Sequence, residues 1–324
     1  MHSTVRTIAA LLGFVTMAPF AHAQTPYPTK PIRLVVGFPA GGPTDVVARA
    51  FGDFAARSLG QPVVVDNKPG ANTILAAEAV ASAPADGYTL LLGALNHTMI
   101  PALYSSRVKF DALRSFSPVC SLALSPTVLV VGPSMPVKTL SEFLQAVRAK
   151  PGERTYATPG SGSGGHFASE QFNRLAGIRM NHIPYKGAAQ AVTDLMGGQV
   201  DSSFATLGSV LSQVQSGKLH ALAVASPQRS PLLPDVPTFE ESGVKGYTAD
   251  AWYGLLAPAN TAPEIVAKLT RISADFARAP ATAEKLRGLG MQAQNTCGGA
   301  FTAQLDGEIK AATRTARELN LSLE

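Results

Sequence analysis

The chain alternates short apolar, β-branched segments with helix-patterned segments through most of its length. This alternation predicts an α/β fold with parallel sheets, because a helix must cover the sheet face between one parallel strand and the next. Strands are predicted at residues 32–37, 62–66, 88–93, 127–132, 154–157, 180–183, 200–204, 219–225 and 251–257. Helices are predicted at residues 43–58, 71–83, 140–149, 165–175, 188–196, 208–215, 263–278, 281–289 and 300–319. Ligands of open α/β sheets bind beyond the carboxyl ends of the strands, so a site is expected in the turns there.

The first residues have the pattern of an export signal. Arg6 supplies a positive charge, residues 8–20 form an apolar stretch too short to span a membrane, and Ala21-His22-Ala23 is a small-x-small cleavage site. We expect residues 1–23 to be removed after Ala23, which leaves Gln24 as the first residue of a soluble, periplasmic chain. No later apolar run is long and uninterrupted enough to cross a bilayer.

Length and charge narrow the class of protein. The roughly 300 residues after the signal exceed what one core usually holds, so two domains are expected. Apolar residues make up 46% of the chain and charged residues 15%, which indicates a packed globular protein. The formal net charge of +5 is scattered, without a basic cluster interleaved with aromatic residues, so nucleic acid is not expected as a partner. We expect a monomer.

The sequence offers no arrangement typical of a catalytic or metal site. It contains no G-x-S-x-G elbow, no HExxH and no CxxC, and no motif holds a pair of carboxylates. We therefore expect no catalytic residue, no metal and no cofactor. Cys120 and Cys297 could form a disulfide in an oxidising compartment or remain two buried thiols, and their spacing does not decide between these alternatives.

A glycine-rich turn has the spacing of a dinucleotide-binding loop. Gly160, Gly162 and Gly165 match G-x-G-x-x-G at the start of a predicted helix. A dinucleotide site also needs an acidic residue roughly 20 positions later, at the end of the next strand. That strand ends in Ile183-Pro184-Tyr185-Lys186, without a carboxylate, so the dinucleotide hypothesis fails. Flexible backbone N–H groups before a helix remain, and these suit a carboxylate.

Ordered motifs along the chain resemble one family. They are "YPTKPIRLVVGFPAGGPTDVVAR" (27–49), "DNKPGAN" (66–72), "PADGYTLLLG" (84–93), "FSPV" (116–119), "HIPYKG" (182–187), "DLMGGQVD" (194–201), "GKLHALAVASPQRSPLLPDVPTFEESG" (217–243) and "WYGLLAP" (252–258). The chain resembles the solute receptors of tripartite tricarboxylate transporters, also called the Bordetella uptake gene family. The resemblance covers nearly all of the chain after the signal.

The resemblance implies a type II periplasmic-binding-protein fold: two doubly wound α/β domains that are joined by two hinge crossings and close over a small ligand. By analogy, the crossings lie near residues 125–127 and 248–251. One domain then comprises residues 24–125 plus 251–324, and the other comprises residues 126–250. The implied ligand is a small organic carboxylate or amino acid, and the implied partners are the membrane subunits of a transporter.

Four turns at predicted strand ends supply the expected ligand contacts. Glycines allow the backbone to approach a ligand, and helix N-termini present unpaired N–H groups to an anion. The expected binding residues are Phe38, Ala40, Gly41, Thr44, Asp45, Asn96, Thr98, Thr158, Gly160, Ser161, Gly162, Tyr185, Gly187 and Asp201. Three roles stay open for Asp45, namely capping its own helix, fixing a water molecule or meeting an amine. Asp201 could contact ligand, orient a donor or cap a helix.

Two other functions stay open at this point. A loaded receptor could signal to a membrane sensor kinase instead of feeding a transporter, and neighbouring genes would separate these outputs. A secreted hydrolase using Ser161 or Ser163 with His166 would instead show ester turnover that a serine-to-alanine change abolishes.

Overall fold

The computed structural model describes residues 27–104, 108–319 and 321–323. The predicted signal peptide therefore lies outside the described residues. The strands are β1 (Ile32–Val36), β2 (Val63–Asn67), β3 (Thr89–Ala94), β4 (Phe116–Val131), β5 (Thr155–Thr158), β6 (Asn181–Pro184), β7 (Ser202–Thr206), β8 (His220–Val224), β9 (Asp250–Pro258) and β10 (Gln292–Cys297). The α-helices are α1 (Pro43–Leu59), α2 (Ile74–Ala81), α3 (Asn96–Leu103), α4 (Leu140–Ala149), α5 (Gly164–Ala176), α6 (Ala188–Met196), α7 (Leu207–Gln215), α8 (Pro263–Arg278), α9 (Pro280–Gly288) and α10 (Gly298–Leu319).

The strands form two groups that share one long strand. β1 pairs in parallel with β2 and β3, and β5 pairs in parallel with β6 and β7. β4 pairs with β9 from Phe116 to Pro126, and then with β7 from Thr127 to Val131. The partners of β4 therefore change between Pro126 and Thr127. Directly opposite this point, Asp250 and Ala251 of β9 pair with Pro126 and Ser125.

Each group of strands has its own hydrophobic core. Around β1, β3 and β9, Phe51 and Phe276 pack edge to face with their ring centroids 5.5 Å apart. Around β5 and β7, the aromatic residues Phe172, Phe204 and Phe239 pack together. Apolar burial is the main stabilising contribution in both regions. The structure confirms the predicted α/β architecture.

Four elements differ from the sequence prediction. α2 begins at Ile74 rather than residue 71, because residues 71–73 have positive φ angles of 45°, 49° and 72°. The first half of β4 was not predicted because it contains Pro118, which removes a backbone donor. The strand accommodates this proline beside a register shift between Pro118 and Cys120. Helix α3, with Pro101 inside it, and the polar strand β10 were also not predicted.

The two cysteines form a disulfide. Cys120 of β4 and Cys297 of β10 lie directly opposite each other in the antiparallel pair, and their Sγ atoms are 2.05 Å apart. The bond joins residues separated by 177 positions. It therefore fixes the C-terminal strand to the strand that runs through both halves of the protein.

A buried histidine is expected to make the fold sensitive to acid. The ring of His97 packs against Phe110 and Phe116, its Nε2 donates to the Ala112 carbonyl at 2.7 Å, and burial lowers its pKa to about 4. The unfolded chain, with a histidine pKa near 6.5, takes up this proton first, so the stabilisation present above pH 6.5 is lost as the pH falls towards 4. We expect His97 to reduce the free energy of unfolding by on the order of 2 kcal/mol between pH 7 and pH 4.5.

Denaturant unfolding at both pH values measures this loss. His97→Gln, which keeps a donor but does not titrate, should lose less stability on acidification than the wild type. His220→Gln changes an exposed histidine and serves as the matched control. Equal acid-induced losses in the wild type and in His97→Gln would contradict the assignment.

Candidate functional site

A cavity of about 220 Å³ lies beyond the carboxyl ends of the strands, between the two groups of elements. The four turns identified from the sequence all reach it. Its lining consists of Phe38, Pro39, Ala40, Gly42, Pro43, Thr44, Ala94, Leu95, Asn96, Thr127, Pro159, Ser163, Gly164, Gly165, Lys186, Gly187, Ala188, Ala189, Gln190, Phe204, Thr206, Ala251 and Tyr253. We call this space the cleft cavity.

Helices α1, α5 and α6 are among those that begin at the cleft cavity. α1 begins after Gly42, α5 after Ser163 and α6 after Gly187. No side chain caps the first turn of α1 or α6, so their N-terminal N–H groups remain available to a bound group. The sequence favours the start of α1 because Pro43 occupies the first helical position, where its missing N–H costs least. Three converging positive helix ends favour an anion.

The charge of the lining has the same sign. Lys186 is the one charged side chain among the described residues that line the cleft cavity, and neither aspartate nor glutamate is present in that lining. An anionic ligand would therefore meet positive helix ends and an ammonium group without a facing carboxylate. The arrangement is electrostatically suited to an organic anion.

Aromatic and hydroxyl groups complete the walls. Phe38 and Phe204 present apolar surface, and Tyr253 and Thr206 also line the cavity. Burial raises the pKa of Tyr253 well above its usual value, so the phenol remains neutral and can donate a hydrogen bond. Sequence reasoning did not place Tyr253 or Thr206 in the site. Thr206 carried a usable signal, because it lies in the short segment between the strand predicted at residues 200–204 and the helix predicted at residues 208–215.

Some of the predicted binding residues line the cleft cavity, and the others lie outside its lining. Phe38, Ala40, Thr44, Asn96 and Gly187 line the cleft cavity. Gly41 instead lines a neighbouring cavity of about 290 Å³ between α1, α6 and α7. The others lie outside the lining of the cleft cavity: Asp45, Thr98, Thr158, Gly160, Ser161, Gly162, Tyr185 and Asp201.

Asp45 holds the turn that precedes its own helix. Its carboxylate accepts from the Gly41 N–H at 3.0 Å, from Asn67 Nδ2 at 3.0 Å and from Arg49 at 2.9 Å. Burial works to raise the pKa of Asp45, but the hydrogen bonds from Arg49, Gly41 and Asn67 outweigh it and hold the pKa below its usual value. These contacts tie Asp45 to the turn before α1, to Asn67 and to Arg49, and they do not include a side-chain cap of α1.

Asn96 and Thr98 stabilise the backbone beside the cavity. Asn96 Nδ2 donates to the Asn72 carbonyl at 3.0 Å and to Thr73 Oγ1 at 2.6 Å. These bonds hold the strained left-handed turn at residues 71–73. Thr98 donates to the Leu95 carbonyl at 2.8 Å, which places its hydroxyl within its own helix start.

The β5–α5 turn, residues 159–163, bridges the two sides of the cleft. The Ser161 carbonyl accepts from the Tyr104 hydroxyl at 2.9 Å, and the Gly162 carbonyl accepts from Asn72 Nδ2 at 2.8 Å. Tyr104 and Asn72 belong to the side of the cleft that contains β1 and β3. Gly162 has a φ of 76°, and a Cβ at this position would lie 2.8 Å from Asn72 Nδ2 and 2.9 Å from Tyr104. Glycine is therefore required for this close approach.

Tyr185 and Asp201 have partners away from the cavity. The Tyr185 hydroxyl donates to Asp194 at 2.9 Å. Asp201 accepts from the backbone and hydroxyl of Thr155 at 2.8 and 3.0 Å, at the start of β5 and thus at the end opposite the cavity. Asp201 therefore ties the residue before β7 to the start of β5 and lies outside the lining of the cleft cavity.

Neither Ser161 nor Ser163 is hydrogen-bonded through its hydroxyl to the His166 ring. Ser163 Oγ accepts from the backbone N–H of His166 at 3.3 Å, which caps α5. The ring Nδ1 of His166 instead accepts from the Gly162 N–H at 3.1 Å. Ser161 contributes its carbonyl to the contact with Tyr104. A hydrolase requires a hydroxyl hydrogen-bonded to the imidazole, and these contacts do not supply it.

The described residues contain neither a metal-binding cluster nor a membrane-spanning helix. Residues 27–104, 108–319 and 321–323 contain no group of three or more histidine, cysteine, aspartate or glutamate side chains placed to hold a metal ion. Over the same ranges, no helix has both the length and the apolar character needed to span a bilayer.

Comparison with known proteins identifies relatives over most of the chain. The sequence profile of the family described as "Tripartite tricarboxylate transporter family receptor" matches residues 47–321. Protein BugT of Bordetella pertussis is 38% identical over 270 residues, which cover 82% of each chain.

Solved structures agree with the fold. The R. palustris protein Rpa4515 with adipate superposes with a TM-score of 0.88 at 32% identity, covering 92% of this chain and 100% of that one. MatC from Rhodopseudomonas palustris with bound malate superposes with a TM-score of 0.83 at 32% identity, covering 89% of this chain and 99% of that one. These similarities confirm the predicted two-domain binding-protein fold.

Proposed function

The chain belongs to the receptor family of tripartite tricarboxylate transporters, and from that premise we propose that it captures a small organic carboxylate in the cleft cavity. The observation that carries this proposal is the convergence of the N-termini of α1, α5 and α6 on a cavity whose described lining includes one lysine and no carboxylate. Backbone N–H groups bind a carboxylate strongly because the acceptor is charged.

The relatives support the ligand class. Rpa4515 was solved with adipate and MatC with malate, and both anions are dicarboxylates. A dicarboxylate in the cleft cavity would place one carboxylate at the α5 start and the other towards α1 and α6. The apolar walls at Phe38 and Phe204 would cover the carbon chain. Hydroxyl groups and bridging water would complete the contacts.

We further propose that the protein closes over its ligand by a hinge. The two halves comprise residues 24–125 plus 251–324 and residues 126–250. The support is that β4 changes partners between Pro126 and Thr127 and that β9 starts directly opposite. The bonds from Tyr104 and Asn72 to the β5–α5 turn would then form on closure. The protein acts without catalysing a reaction, as a periplasmic monomer that delivers its ligand to the membrane subunits of a transporter.

A ligand panel tests the proposal. The chain beginning at Gln24 is heated with mono-, di- and tricarboxylates, with amino acids and with neutral sugars. We expect at least one carboxylate to raise the melting temperature in a concentration-dependent way, because a ligand that binds only the folded state stabilises it. Stabilisation by a neutral sugar together with no response to any anion would contradict the proposal.

Lys186 is expected to contribute modestly to affinity. Because its side chain is exposed, water and salt screen its charge, and Lys186→Met should weaken binding of the stabilising carboxylate by on the order of two- to fivefold. The loss should shrink as the salt concentration rises. Calorimetric titration at low and high salt measures both effects, with Lys218→Met as the control because Lys218 is exposed and outside the cavity lining. The same loss in both variants would exclude a local role for Lys186.

A further inference from the structure

Two histidines form a stacked column behind the β5–α5 turn. The rings of His166 in α5 and His182 in β6 have their centroids 4.1 Å apart and are tilted by 18°. Tyr156 of β5 stacks on His182 with a centroid distance of 4.9 Å. The Tyr156 hydroxyl donates to the carboxylate of Glu170, one helical turn after His166. The column therefore connects β5, β6 and α5 directly beneath the turn.

Each histidine contacts the turn through one ring nitrogen. The Gly162 N–H donates to His166 Nδ1 at 3.1 Å, so this nitrogen carries no proton. His182 Nε2 lies 2.7 Å from Thr158 Oγ1. Thr158 Oγ1 also lies 3.1 Å from the Gly160 carbonyl oxygen, so His182 contacts a residue that is bonded to the start of the turn.

A single peptide unit of the turn receives contacts from both sides of the cleft. The Gly162 N–H and the Ser161 carbonyl belong to the same planar peptide group. The N–H of this group donates to His166, and its carbonyl accepts from the Tyr104 hydroxyl on the opposite side at 2.9 Å. The orientation of this plane therefore sets both bonds together.

We propose that His166 is the positioning residue of the β5–α5 turn: its neutral ring orients the Ser161–Gly162 peptide so that Tyr104 can bond across the cleft, and protonation of His166 breaks this link. As far as it concerns ligand capture, the inference rests on the proposed function, because Ser163, Gly164 and Gly165 continue from this turn into the cavity lining.

The charges around His166 favour the neutral ring at pH 7. Burial lowers the pKa of His166, while Glu170 on the same helix opposes this shift. From β6, His182 stacks against the ring, and burial together with His166 lowers the pKa of His182 to about 3. From β5, Tyr156 is neutral because burial and Glu170 raise its pKa. A protonated His166 would present an Nδ1–H to the Gly162 N–H, and two donors facing each other repel.

The experiment needs no ligand. Histidine-selective ¹⁵N spectra of the chain from Gln24 report which ring nitrogen of His166 carries the proton, and hydrogen exchange reports the protection of the Gly162 amide. Two variants separate the roles: His166→Asn keeps an acceptor near the position of Nδ1 but does not titrate, whereas His166→Phe keeps an aromatic ring but has no acceptor.

We expect an unprotonated Nδ1 at pH 7. We also expect Gly162 exchange on the order of three- to tenfold faster in His166→Phe than in the wild type, with protection restored in His166→Asn. After correction for intrinsic rates, acidification should reduce the protection in the wild type but not in His166→Asn. Equal exchange in all three proteins, or a proton on Nδ1 at pH 7, would overturn the inference. Because no readout uses ligand, failure of carboxylate binding would contradict the proposed function without changing these results.

Discussion

Gly162→Ala is expected to weaken carboxylate binding by on the order of 100-fold while leaving the protein folded. The Cβ would lie 2.8 Å from Asn72 Nδ2 and 2.9 Å from the Tyr104 ring and hydroxyl, closer than such atoms pack. Both bonds across the cleft would be lost together, and alanine would add strain at a φ of 76°. Calorimetric titration with the stabilising carboxylate measures the loss, and circular dichroism confirms folding.

A substitution at Gly60 serves as the control that separates the loss of the contacts across the cleft from the effect of backbone strain. Gly60 has a φ of 68° at the end of α1, and a Cβ there would have no neighbour within 4 Å. Gly60→Ala should therefore reduce stability slightly and leave affinity unchanged. Ser163→Ala removes one hydroxyl and should weaken binding by no more than on the order of tenfold. Unchanged affinity in folded Gly162→Ala would show that ligand capture does not depend on the bridge to Tyr104 and Asn72.

Removing the disulfide should lower the stability of the protein and leave its affinity for ligand unchanged. The Cys120–Cys297 bond closes a loop with a sequence separation of 177, and the chain-entropy estimate for a loop of this size is about 5 kcal/mol. Measured disulfide contributions are typically about 2–4 kcal/mol, so we expect the free energy of unfolding to fall by an amount in this range in the Cys120→Ala, Cys297→Ala double variant. Neither cysteine lines the cleft cavity, so affinity should remain unchanged.

Denaturant unfolding of the wild type, the reduced wild type and the double variant measures this effect. Reduction should reproduce the loss seen in the double variant, and reducing agent should not change the stability of the double variant. Equal stability of the oxidised and reduced wild type would show that the bond does not constrain the unfolded chain. Together with Gly162→Ala, this variant separates changes in affinity from changes in global stability.

Helices and strands were predicted correctly from the sequence where the local residue pattern determines their bounds. Helices α4 and α6 have the predicted bounds, because Thr139 caps the start of α4 and glycines at 187 and 197 flank α6. β10 was missed because it is a polar strand that pairs at the sheet edge with β4. The first half of β4 was missed because Pro118 opposes a strand locally, whereas pairing with β9 and β10 imposes one.

The candidate site could be predicted only in part, because the sequence shows which residues lie in turns but not what their side chains contact. Sequence identifies turns at strand ends, so Phe38, Thr44 and Asn96 could be assigned to the cavity region. It does not show which side chains turn back to support their own backbone. Asp45 was expected in the site because it is a polar residue in the first turn of a helix that follows a strand. In the structure it is 2% exposed and bonded to Gly41, Arg49 and Asn67.

We propose that the cleft cavity selects a carboxylate by its negative charge. The most direct measurement is calorimetric titration of the chain from Gln24 with adipate, with malate and with adipamide, the uncharged diamide of adipate. The diamide has the length and shape of adipate but lacks the charge that the helix ends and Lys186 attract. We expect at least one dicarboxylate to bind with one ligand per chain and adipamide to give no saturable heat. Saturable binding of adipamide, with no binding of either dicarboxylate, would contradict the account.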